Sequence, residues 1–120
     1  MTRMIKMEVA ELSGPALRYA VAIAEGWDFS AQLDRIAFSG FCPDTDWANG
    51  GPLIDKYRID LSSPPSDTSQ AGWDAHVDDD SCLNWSNGET PLIAACRAVV
   101  QAQLGDAVQV PAELVDGGGV

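Results

Sequence analysis

The chain is poor in positive charge. Its 120 residues hold seven lysines and arginines against 18 acids, a formal charge of −11 with the single histidine neutral. The bases are Arg3, Lys6, Arg18, Arg35, Lys56, Arg58 and Arg97, and only Lys56 and Arg58 lie close together. No basic stripe exists, so direct binding to nucleic acid or to an anionic membrane is not expected. Long apolar runs are also missing. Nothing approaches the roughly 20 residues of a membrane span. No apolar stretch follows Met1–Met7, so a secretory leader is not expected either. Cysteine is scarce and odd in number: Cys42, Cys82 and Cys96, with no Cys-x-x-Cys. That pattern fits free thiols in a reducing compartment rather than a disulfide framework or a zinc knuckle.

Recognisable catalytic signatures are absent as well. There is no Gly-x-Ser-x-Gly elbow, no Walker lysine and no Gly-x-Gly-x-x-Gly. Asp44-x-Asp46 and His76-x-Asp78-Asp79-Asp80 offer oxygen and nitrogen ligands, but neither follows an EF-hand or zinc spacing. The three aspartates suit an exposed turn. Cys96 falls on an apolar helical face and reads as core. No catalytic residue, metal ligand or cofactor is assigned.

What is present suits one folded domain. Hydrophobic residues make up 46% of the chain and include four tryptophans, enough to fill a core. Ile5, Met7 and Val9 alternate with Lys6 and Glu8, the period of a half-exposed strand. Ser13 and Pro15 then open a helix over about Pro15–Glu25, with Gly26 as its stop. Phe29, Leu33, Ile36, Phe38 and Phe41 suggest one or two strands with turns at Asp34 and Gly40. Cys42–Gly51 reads as a loop of turn formers around a buried Trp47, and Pro52–Tyr57 as one short helical turn. Tyr57–Leu61 alternates as a strand. Ser62–Gln70 is a low-complexity loop. Trp73–Val77 is expected to pair with Cys82–Trp85 across Asp78–Asp80. Thr90 and Pro91 start a second helix that Gly105 ends, and Val108 and Val110 add a short strand. The expected fold is α+β, a small and mostly antiparallel sheet packed by two main helices. It spans residues 1–116 as a single domain, with 117–120 as a flexible tail.

An echo runs through the chain. Trp47-Ala48-Asn49-Gly50-Gly51-Pro52-Leu53-Ile54 parallels Trp85-Ser86-Asn87-Gly88-Glu89-Thr90-Pro91-Leu92-Ile93, with one extra residue in the second copy. Convergent capping chemistry accounts for it better than duplication.

Three segments carry a family likeness. They are Glu11–Leu17 with Ala20–Ala22 and Ala24–Gly26; Pro43–Tyr57; and Thr90–Ala98 with Leu104–Asp106 and Pro111–Leu114. Together, and in this order, they resemble the NinX-like family of small phage and prophage proteins. The resemblance implies a phage or prophage origin and action in the cytoplasm of a bacterial host. It implies no particular reaction.

The resulting expectation is a phage or prophage accessory protein of unknown function, a non-enzymatic module that binds a host or phage protein. Two alternatives stay open. One is an acidic DNA mimic that inhibits a host DNA-processing or defence protein. The other is a small metal- or nucleotide-dependent enzyme using Asp44, Asp46 or His76. A homodimer also stays open. The candidate binding site is Asp44, Asp46, Trp47, Asn49, Gly50, Thr90 and Arg97. In it two helix N-termini and Arg97 would create a locally positive spot for a small anion or a partner carboxylate. The competing reading is that Arg97 ties a loop to its helix.

Overall fold

The structure is a computed structural model that describes residues 3–63, 72–77 and 85–115, without the side chains of 33–35 and 113. The expected turn at Asp78–Asp80, Cys82 and most of the Ser62–Gln70 loop lie outside the described residues, as does the tail from 116.

The helix opened by Thr90 organises the rest. This helix, α4, spans Pro91–Leu104, the last of four helices in chain order. Leu92, Ala94, Ala95, Cys96, Ala98, Val99 and Val100 are all buried. Apolar surface around so much of its circumference marks a core helix. Its alanines keep its girth small, so neighbours approach closely. It packs against two sheets and two other helices.

The first of those helices, α1, spans Gly14–Ala24 and buries Ala16, Leu17, Ala20, Val21 and Ala22. Gly26, at φ +90°, ends it. Ser13 occupies the cap position but its side chain makes no capping hydrogen bond, a departure from the expected role. The other helix against α4 is α3, Trp47–Lys56.

Antiparallel pairing divides into two sheets. Strands β1 (Met4–Glu8) and β5 (Ala107–Pro111) pair from Met4 opposite Pro111 to Glu8 opposite Ala107. Strands β2 (Ile59–Ser62), β3 (Trp73–Val77) and β4 (Ser86–Gly88) form a second sheet in that order. The class is α+β. The partner of β3 is Ser86–Gly88 rather than Cys82–Trp85, with Ala75 opposite Ser86 and Trp73 opposite Gly88.

Two segments differ from expectation. Gln32–Phe38 is a short helix, α2, not a strand. Its aromatics, with neighbours, build a satellite cluster beside α1. Phe29 stacks on Tyr19 at 5.0 Å and meets Phe38 edge-on at 5.2 Å, and Trp27 meets Phe41 at 4.7 Å. Aromatic contacts of this kind favour whichever backbone brings rings together, and here a helical turn does so.

The second difference is α3 itself. Asp46 caps this helix, so Trp47–Gly51 is not a loop and Pro52 lies inside the helix rather than at its start. One carboxylate oxygen of Asp46 accepts from Ala48 N at 2.9 Å, and the other accepts from Asn49 Nδ2 at 2.9 Å. Asn49, Gly50 and Gly51 are poor helix formers. Tertiary contact outweighs that preference. A Cβ on Gly50 would stand 2.3 Å from the Pro43 carbonyl oxygen and 2.7 Å from Leu92 Cδ2, so only glycine lets α3 lie this close to α4.

Candidate functional site

The predicted residues do not converge on one pocket. Asp44 is 4% exposed, and Arg18 Nε donates to its Oδ1 at 2.6 Å. This buried pair joins α1 to the turn before α3. The bond to Asp44 raises the Arg18 pKa above its ordinary value. Nearby, burial and then the Asp44 charge push the Cys96 thiol up to about 12. The thiol is therefore protonated at neutral pH and is a packing group. Asp46 and Thr90 are helix caps; Thr90 Oγ1 accepts from Ile93 N at 3.1 Å. Trp47, expected in the core, is instead 56% exposed. At the first position of α3 its ring extends past the end of the helix contact, where there is no layer to cover it. Gly50 is a packing position, and Asn49 hydrogen-bonds locally to Asp46.

Arg97 does not pair with Asp44 or with any other acid through a hydrogen bond among the described residues. Three of its N–H groups donate to main-chain carbonyls. Nε and Nη2 both reach Leu12 O, at 3.0 and 2.8 Å, and Nη1 reaches Asn87 O at 2.8 Å. The reason lies in the local chain path. A short 3-10 turn over Val9–Glu11 leads into Leu12, and α1 starts its own hydrogen bonds at Ser13 O. Leu12 is fully buried, so its carbonyl needs a donor from elsewhere. Burial lowers the Arg97 pKa, against an opposing pull from Glu89. An arginine keeps its proton even so.

One helical turn further along α4, Gln101 repeats the arrangement. It accepts from Ser86 Oγ at 2.7 Å and donates to Asp106 Oδ1 at 2.8 Å. Arg97 thus ties the segment after β1 to β4, and Gln101 ties β4 to the turn before β5. Residues four apart lie on one helix face, so the two ties form rungs across the seam between the sheets.

Above these rungs lies a cleft of about 390 Å³. Glu8, Val9, Ala10 and Asp106 line one side; Trp85, Ser86 and Asn87 line the other; Arg97 and Gln101 line the α4 side. Trp85 is 51% exposed and stacks on His76, with ring centroids 5.1 Å apart and planes 28° from parallel. Asn87 Nδ2 donates to Trp73 O at 3.1 Å and holds β4 to β3. Of the predicted site residues, only Arg97 lines this cleft. Trp85, Gln101, Glu8 and Asp106 went unnoticed in the sequence. The exposed tryptophan before Ser86-Asn87-Gly88 was visible as half of the echo, but nothing local linked it to Glu8 or Asp106.

Among the described residues no group of three or more His, Cys, Asp or Glu side chains is placed to hold a metal ion. The Asp44 and Asp46 carboxylates are engaged by Arg18 and by the α3 cap. Asp78–Asp80 lie outside the described residues. No helix among those described is long and apolar enough to cross a membrane.

Residues 8–103 match the family model described as Bacteriophage P22, NinX. The chain belongs to this family. The matched range begins at Glu8, takes in α1 to α3, and covers α4 up to Gln103, so it includes both rungs and all of the cleft except Asp106. Membership in the NinX family supports a phage accessory protein. A comparison with curated proteins returned no match.

Proposed function

We propose that this phage accessory protein is a non-enzymatic binding module that docks a host or phage protein at the cleft between its two sheets. The observation that carries this reading is the pairing of a rigid polar floor with an exposed aromatic rim. Arg97 and Gln101 are each held at both ends, and Ser86 is buried in the same network. A preformed concavity of this size, with few polar groups and an exposed tryptophan, suits recognition. The acids that could serve catalysis, Asp44 and Asp46, are engaged in structural contacts instead.

The test is capture from host lysate, with and without co-expressed phage proteins, on immobilised wild-type and Trp85→Ala protein. A partner held by the wild type and released by Trp85→Ala, with the melting profile unchanged, is the expected result. Equal capture by both proteins, or none by either, would overturn docking at this cleft.

A further inference from the structure

Resting on that docking reading, we propose that the cleft takes a basic side chain, arginine in preference to lysine, from an exposed segment of the partner protein. Three observations lead there.

The first is the balance of charge. Glu8 and Asp106 stand exposed on one side of the cleft, and Arg97 is the single base in its lining. The surrounding chain carries −11. A cleft lined by an excess of one sign concentrates ligands of the other.

The second is where the one base directs its hydrogens. Arg97 is drawn into the α4 side, with three of its N–H groups on the carbonyls of Leu12 and Asn87. Its hydrogen-bonding capacity is mostly committed to the main chain, so it is a poor anchor for an incoming anion. The anion site expected from the sequence therefore loses its central donor. Asp106 is committed differently: Gln101 engages Oδ1 and holds the carboxylate in place. A fixed carboxylate is suited to a charge-assisted bond with a guanidinium.

The third is the ring. Trp85 has His76 stacked against it, which fixes its plane, and it remains half exposed at the mouth. A guanidinium lies flat on an indole face and forks onto a carboxylate at its edge; an ammonium does only the second as a point charge. The arrangement of Trp85 opposite Glu8 and Asp106 supplies both contacts for arginine.

The probe is a capped Gly-Arg-Gly tripeptide, with Gly-citrulline-Gly as an uncharged match of the same shape and Gly-Lys-Gly as the second cation. Two-dimensional NMR follows the Trp85 indole N–H, assigned by its loss in Trp85→Phe. The arginine peptide should shift that signal saturably and bind roughly fivefold tighter than the citrulline peptide, the scale of one cation–π contact with one exposed ion pair. Lysine should fall between them. Asp106→Asn with Glu8→Gln should erase the advantage of arginine over citrulline. Equal binding of the arginine and citrulline peptides would overturn the proposal, as would no saturable shift up to about 50 mM, well beyond the range of even a weak specific contact. The controls use unaltered protein, so a misfolded variant cannot decide the outcome. If the peptides fail while Trp85→Ala still abolishes capture from lysate, the docking reading stands and the basic side chain falls. If neither depends on Trp85, both fall.

Discussion

Trp47–Gly50 and Trp85–Gly88 share a tryptophan, an asparagine and a glycine at the same spacing. One is the first turn of a helix and the other leads into and forms a strand. Their glycines nevertheless do the same thing. Gly50 lies against Leu92, and Gly88 lies against Ile93 and Ala94, where a Cβ would stand 2.4 Å from Ala94 N. Both segments press on the first turn of α4 through the absence of a side chain. Their tryptophans are both exposed, at 56% and 51%. Only Trp85 borders the cleft and has an aromatic partner in His76. Similar sequence therefore encodes a packing contact twice and a recognition surface once.

The largest effect expected on this comparison comes from Asp44→Ala. It removes the partner of Arg18 beside the turn on which Gly50 rests. Loss of one half of a buried pair costs about 3 kcal/mol, the lower end of the range, because Arg18 is itself 27% exposed. Urea titration measures the loss. Backbone NMR should show the Trp47–Gly50 segment disturbed and Ser86–Gly88 unchanged; equal disturbance of both would break the distinction drawn here.

Gly50→Ala and Gly88→Ala come next. Each forces a methyl against backbone, so each should cost about 1–3 kcal/mol in the same titration. Near-neutral values would mean that the segments do not bear on α4 closely. The smallest effect on stability belongs to the tryptophans. Trp47→Ala should change stability by no more than about 0.5 kcal/mol, the range for an exposed position. Trp85→Ala should cost only slightly more through the lost stack on His76. The two variants should then separate in binding, where Trp85 matters and Trp47 does not.

The two helices α1 and α4 were legible because their apolar residues repeat at helical spacing between proline starts and glycine stops. The antiparallel strands β1 and β3 were legible from alternation. Helix α3 was not. Asn49-Gly50-Gly51-Pro52 is turn chemistry by propensity, and the helix exists because Asp46 caps it and Gly50 fits beneath Leu92. Helix α2 was hidden by a short aromatic pattern that suits a strand or a helix equally. Burial of Trp47 was expected from its apolarity; its position at the end of α3 leaves it without a covering layer. Arg97 was singled out correctly as unusual, but its partners are carbonyls at Leu12 and Asn87, and no side-chain pattern advertises a carbonyl in need of a donor. The cleft draws on Glu8, Trp85, Gln101 and Asp106, which meet only because α4 gathers both sheets.

The pairing of β1 with β5 has a consequence for how the molecule comes into being. Glu8 opposite Ala107 and Met4 opposite Pro111 are partners separated by roughly 100 residues, the kind of contact whose closure entropy delays it. On a ribosome, the strand synthesised first waits unpaired until β5 has left the exit tunnel. The three-stranded sheet and α4 can form before then, since everything they need is already outside. The side of the cleft that carries Glu8 and Asp106 is therefore assembled last, and a nascent chain acquires its recognition surface only when translation is nearly complete.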